Sequence, residues 1–226
     1  MQDKKQKEKE IIRLQESVNR ENDETAEKTN RFLTGEKIFC INLMGSPGSG
    51  KTAFIEGLTP YIKPSEMAVI QGDLESDIDK KRLQKKKILA YQINTHGGCH
   101  LNAFMVADAV RKLKLRGKKY LVIENVGNLV CPAGIPLGQH INALVSSTAE
   151  GTDKPRKYDI MFMDADLIAI SKYDLRAAVG FRERQYVKDI RRVNKKAQII
   201  KTSIKDRKTF ASAAKYIIST RNALLG

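Results

Sequence analysis

Residues 45–52 read Gly-Ser-Pro-Gly-Ser-Gly-Lys-Thr, directly after the apolar run Ile38 to Met44 and directly before a helical pattern. No other stretch restricts the fold of this chain as strongly. Glycines let a backbone curl until successive N–H groups face one anion, and the N-terminus of the next helix adds partial positive charge. Strand, loop and helix in that order are the setting a phosphate-binding loop of this kind needs. Gly45, Gly48, Ser49 and Gly50 would form the cradle, Lys51 would place an ammonium on the terminal phosphates, and Thr52 would offer its hydroxyl to magnesium.

Beyond the loop, apolar runs alternate with helical patterns. Ile38 to Met44, Ala68 to Gln71, Ile88 to Ile93, Tyr120 to Glu124, Ala143 to Ser147, Leu167 to Ser171 and Ile199 to Thr202 read as strands. Helices are expected after Lys51, over Asp79 to Lys86, Leu101 to Arg116, Arg182 to Val193 and Arg207 to Thr220. The strands are continuously apolar and do not alternate, which predicts an α/β fold: a mostly parallel sheet flanked by helices on both faces. Its ligands belong at the carboxyl ends of the strands. Residues 1–34 read as a helical appendage that docks through a thin stripe of Ile11, Ile12, Leu14 and Val18, leaving 35–226 as the nucleotide-binding domain.

The formal charge of +15 is not spread evenly. From Met1 to Arg31 eight basic residues meet eight acidic ones, so the surplus falls on Lys80 to Lys87 and on Arg182 to Arg221. With few aromatics among these lysines and arginines, a solvated basic face is expected, and an acidic protein partner ahead of nucleic acid. There is no apolar run of membrane-spanning length and the N-terminus is charged, which together point to a soluble, cytoplasmic protein without a membrane partner. Three cysteines, an odd number, speak for reduced thiols.

Magnesium and a hydrolytic water need carboxylates at neighbouring strand ends, and Asp73 and Glu124 stand there. Thr52, Asp73 and Glu124 are therefore the expected magnesium set, and Lys51, Asp73 and Glu124 the expected catalytic set. Gly127, three residues past Glu124, would offer an N–H to a γ-phosphate. Base choice falls to Ser171-Lys172-Tyr173-Asp174, where Asp174 would accept two hydrogen bonds from guanine and the stem of Lys172 would cover the ring. Adenine has no such donor pair, so a buried Asp174 disfavours ATP. Ser171 lacks the amide that usually ties these loops together, so GTP preference is expected to persist with weaker affinity. Ser203, after the last strand, is the expected contact to the guanine oxygen.

Cys99-His100 follows a glycine-bearing loop and opens a helical pattern, and Cys131 lies seven residues beyond Glu124. Two thiolates and an imidazole suit nickel or zinc. Spacing alone leaves a metal site and two unrelated cysteines equally open. Cys40, inside the first strand, reads as a core residue, His96 as a loop histidine, and His140 carries no functional signal.

From Ile38 to Leu175 the chain resembles the HypB family, the nickel-incorporation GTPases of hydrogenase maturation. The resemblance rests on the phosphate loop, on Gly72 to Asp79 with Arg82, on Gln92 to Thr95 leading to Cys99-His100-Leu101, on Ile123 to Ala133 with its Cys131-Pro132-Ala133 ending, and on Glu150-Gly151 with Asp153-Lys154-Pro155. It implies a SIMIBI-type P-loop fold, slow GTP hydrolysis with magnesium, and nickel or zinc held by Cys99, His100 and Cys131 at a GTP-dependent homodimer interface. It further implies a switch over Asp73 to Arg82, and the delivery partner HypA and the hydrogenase large subunit as partners. A urease-type metallochaperone and a nucleotide-gated binding module without metal traffic are the alternatives. Ser171 stands where that family carries Asn, Asn102 where it carries Asp, and Ser76 where it carries Thr; no histidine tract precedes the domain.

Overall fold

In a computed structural model of the chain, the backbone is described for residues 2–73 and 78–226, and side chains for residues 16–72, 79 and 81–226. Among the described residues seven strands, β1 (Phe39–Met44), β2 (Met67–Asp73), β3 (Leu89–Asn94), β4 (Tyr120–Glu124), β5 (Ile141–Ser147), β6 (Leu167–Ser171) and β7 (Gln198–Lys201), form one sheet in the order β3-β2-β4-β1-β5-β6-β7. Every pairing is parallel. β1, β4, β5 and β6 are buried along their whole length, which explains their unbroken apolar runs.

The described helices are α1 (Gln2–Gly35), α2 (Lys51–Leu58), α3 (Ile78–Lys85), α4 (Ala103–Lys112), α5 (Lys154–Lys157), α6 (Asp159–Met163), α7 (Glu183–Val193) and α8 (Ala211–Leu225). Side chains of β1 alternate between the two faces of the sheet and reach three core clusters. Phe39, Ile41 and Leu43 meet Phe54, Ile55 and Leu58 of α2, Leu83 of α3 and Ala213, Ala214 and Ile217 of α8. Cys40, fully buried, packs with Val106, Ala109 and Val110 of α4 and Leu33 of α1. Met44 joins Phe162 of α6 and Tyr186 and Ile190 of α7. Each such buried side chain contributes about 1.5–3 kcal/mol relative to exposure.

Of the stripe expected to dock α1, Val18 is 60% exposed, and the side chains of Ile11, Ile12 and Leu14 lie outside the described residues. Ala26 and Leu33 are buried, and polar side chains add to the contact. Asn22 donates to Pro136 O and accepts from Ala103 N, while Asn30 donates to the carbonyls of Gly138 and Gln139. One expectation needs correction: α4 begins at Ala103 and not at Leu101. Asn102 is its N-cap, the side-chain oxygen accepting from Met105 N at 2.9 Å, so Asn serves there as well as Asp would. The helix also stops at Lys112, four residues before Arg116.

Candidate functional site

β1 delivers the chain to residues 45–50, and α2 starts at Lys51. The turn needs left-handed backbone at Gly50, with φ of 100°. Lys51, buried, donates to the carbonyls of Gly45 and Ser46 at 3.1 Å each. Gly127 shows why its position admits no side chain: a Cβ there would stand 2.8 Å from Pro47 N, so the loop after β4 lies directly on the phosphate loop. Gly48, Gly50, Lys51, Thr52, Glu124 and Gly127 line one cavity of about 440 Å³.

At its floor Thr52 Oγ1 donates to Glu124 Oε1 at 2.7 Å, and Gln71 Nε2 donates to Glu124 Oε2 at 2.9 Å. Burial pushes the Glu124 pKa above the ordinary carboxylate range, and the bonds from Thr52 and Gln71 pull it back. The oxygens of Thr52 and Glu124 form a hard donor set, and among the described residues the buried Gln71 Oε1 and Ser49 Oγ have no hydrogen-bond partner. This chemistry fits magnesium with a phosphate ligand. Asp73 ends β2, but its side chain lies outside the described residues, as do residues 74–77 of the expected switch.

The base-side residues form a separate group. Lys172 adopts φ of 51°, and its carbonyl accepts from Thr148 Oγ1 at 2.7 Å. Asp174 accepts from Ser203 Oγ at 2.7 Å, with Lys205 Nζ at 3.4 Å. That hydroxyl, with help from Lys205, holds the Asp174 pKa below the ordinary range. The Asp174 side chain is 22% exposed. A small cavity of about 70 Å³ between Ser49, Gly50, Lys172 and Thr202 separates the two groups. Ser171 does not leave the loops untied: its hydroxyl donates to Ser49 O at 2.6 Å, so a short side chain makes the link to the phosphate loop.

Cys99, His100 and Cys131 converge within a single chain, their ligand atoms all within 4.8 Å of one another. Cys99 Sγ lies 3.4 Å from His100 Nδ1, and the adjacent Cys131 thiol raises the pKa of Cys99. One ion bonded to each atom at about 2.0–2.3 Å fits after a small closure. Cys99 and His100 precede α4 in an open bend and do not form its first turn. His96 is not part of the group.

Four contributors were not assigned from sequence. Gln71 precedes Asp73 by two positions in β2, and that spacing is a readable signal. Glu150 accepts from Ser46 Oγ and from Ser147 N. Asn125 Oδ1 accepts from Leu101 N at 3.1 Å, beside His100, and its own N–H donates to Leu43 O. Asn128 N donates to Gly45 O at 3.1 Å while its side chain accepts from Cys131 N at 3.3 Å. The two asparagines thus join both arms of the cysteine-histidine cluster to the strand ends around the phosphate loop.

Such a fold and site define a P-loop nucleotide-binding protein with a thiol-imidazole cluster on the adjoining loops. Residues 39–201 match the family described as CobW/HypB/UreG, nucleotide-binding domain. The hydrogenase/urease maturation factor HypB of Helicobacter pylori strain J99 is 38% identical over 218 residues, covering 94% of this chain and 89% of the relative. A crystal structure of HypB from Helicobacter pylori in complex with nickel superimposes with a TM-score of 0.87 at 37% identity, covering 91% of this chain and 97% of the other. The chain belongs to the HypB branch of the CobW/HypB/UreG family. The fold is shared more widely, with the 54 kDa signal recognition particle protein of Aeropyrum pernix in complex with GDP, at TM-score 0.54 and 16% identity over 84% of this chain and 48% of the other. This is the SIMIBI architecture expected from the sequence.

Proposed function

We propose that this protein is a GTP-hydrolysing metallochaperone that carries nickel, or zinc in its place, and hands nickel on during assembly of a nickel-iron hydrogenase. The observation that carries the reading is the convergence of Cys99, His100 and Cys131 on loops bonded to the phosphate loop. In this reading Gly45, Gly48, Ser49 and Gly50 wrap the phosphates, Lys51 neutralises them, and Gly127 offers its N–H to the γ-phosphate. Thr52 and Glu124, with Asp73, hold magnesium, which would neutralise phosphate oxygens. Lys172, Asp174 and Ser203 receive guanine. Departure of the γ-phosphate frees the segment from Glu124 to Gly127, and Asn125 and Asn128 pass that freedom to the metal ligands.

The protein would act in the cytoplasm as a GTP-dependent homodimer that meets HypA and the hydrogenase large subunit. Among the described residues no helix is long and apolar enough to cross a membrane. The printed name of the Helicobacter pylori relative couples hydrogenase with urease, so urease is the alternative recipient. The deciding experiment is equilibrium binding of nickel and zinc with GDP and with a non-hydrolysable GTP analogue, read together with molecular mass. Metal affinity and mass that both change with the nucleotide are expected. Equal metal uptake in both states would remove the nucleotide-gated part of the reading, and no uptake would leave a binding module without metal traffic.

A further inference from the structure

Among its described lining residues the phosphate cavity carries two cations, Lys51 and Arg82, and two carboxylates, Asp79 and Glu124. Lys51 rises from the phosphate loop and is held by loop carbonyls. Arg82 comes from another element, α3, and nothing in the reading above uses it. Its Nη1 lies 2.9 Å from Asp79 Oδ1 and its Nη2 2.9 Å from Glu56 Oε2. Glu56 stands one helical turn beyond Thr52 on α2, so the guanidinium is stored close to the magnesium donors.

The pair with Asp79 does little for the fold. The Arg82 and Asp79 side chains are 44% and 43% exposed, and exposed ion pairs stabilise weakly. A guanidinium has five N–H donors in a planar fork, and these contacts occupy only part of it. Phosphoryl transfer spreads negative charge over the γ-phosphate oxygens, and a positioned arginine is the side chain best matched to that charge.

We propose that Arg82 is a catalytic residue, a guanidinium parked on Glu56 and Asp79 that moves onto the γ-phosphate oxygens as water adds to phosphorus and the bridging P–O bond breaks, its electron pair leaving on the β-phosphate of GDP and the water's proton passing to the released phosphate. The assignment rests on the nucleotide-hydrolysis reading above. It separates Arg82 from Lys51: the lysine serves bound nucleotide before and after cleavage, whereas the arginine serves mainly the transition state.

The test is single-turnover GTP hydrolysis with magnesium on the full chain, alongside equilibrium affinity for GTP and GDP. Arg82→Ala is expected to slow the chemical step by about 100-fold or more, with both affinities within about threefold of the parent protein. Retained GDP affinity would also establish that the variant folds. Arg82→Lys should recover little, because an ammonium lacks the fork, and added guanidinium should restore part of the rate to Arg82→Ala. Glu56→Gln should keep the full rate, since the parking place is dispensable. An unchanged rate in Arg82→Ala overturns the assignment, as does loss confined to affinity, full recovery in Arg82→Lys, or a Glu56→Gln defect equal to that of Arg82→Ala. A parent protein that does not hydrolyse GTP at all overturns the hydrolysis reading and this assignment together.

Discussion

Ser171 and Glu124 show how single side chains set the terms of this site. In the sequence Ser171 lacks the amide that would tie these loops; the folded chain brings Ser49 O to within 2.6 Å, where the shorter hydroxyl suffices. Which carbonyl a serine reaches depends on the separation of two loops, and no local pattern encodes that separation. Ser171→Ala should weaken GDP and GTP by about fivefold, the equivalent of about 1 kcal/mol for one hydrogen bond; calorimetry showing unaltered affinity would mean the tie is not used. Glu124 is 6% exposed with a raised pKa, so its ionised form is held at a cost in folding free energy. That cost is absent in acid and grows as pH rises through the unfolded-state value toward the folded one. Glu124→Gln should therefore raise thermal stability without magnesium or nucleotide at pH 7, while abolishing magnesium-dependent hydrolysis. Thermal melts and a phosphate-release assay on the same sample check both halves.

At the scale of elements, legibility followed burial. β4 and β6 run over the residues their sequences indicate, because a strand covered on both faces is apolar throughout. α5 and α6, of four and five residues, passed unnoticed, since so few residues carry no helical period. The described part of the α1 docking face is less legible for a different reason: Asn22, Asn30 and Thr34 make specific bonds whose partners lie more than 100 residues away. His140, without signal in the sequence, belongs to the same joint. Its Nδ1 accepts from Cys40 N at 2.9 Å, which fixes the neutral ring as the Nε2–H tautomer that donates to Thr34 Oγ1 at 3.0 Å. Burial lowers its pKa below the ordinary 6.5, so the folded chain disfavours the charged ring. The stabilisation is complete above that value and is lost as pH falls through the folded pKa. Hydrogen exchange at the C-terminal end of α1 should accelerate on acidification, and His140→Phe should flatten that dependence. Equal pH profiles in the two proteins would exclude the histidine as the cause.

For the whole molecule, parallel pairing is the decisive fact. With every strand pointing the same way, the loops after β1, β3, β4, β6 and β7 open at one edge, and residues far apart in sequence meet there. The meeting of Cys99 and Cys131 followed from topology; that Asn128 would connect Cys131 to Gly45 did not, since the contact depends on the path of an irregular loop. Asn128→Ala should leave nickel binding in place but bring the affinities measured with GDP and with a GTP analogue close together. A ratio equal to that of the parent protein would assign the coupling elsewhere, and Asn125→Ala would then be the next variant.

The burial of Cys40 makes occupancy countable by simple chemistry. Its sulfur has no solvent contact and burial drives its pKa upward, while Cys99 is exposed and Cys131 partly so. A chromogenic disulfide reagent added to the folded, metal-stripped protein should therefore report two reactive sulfhydryls, and three after denaturation. As nickel is titrated in, the fast-reacting pair should disappear stoichiometrically while the denatured total stays fixed, giving each preparation an internal standard for how much cargo it carries.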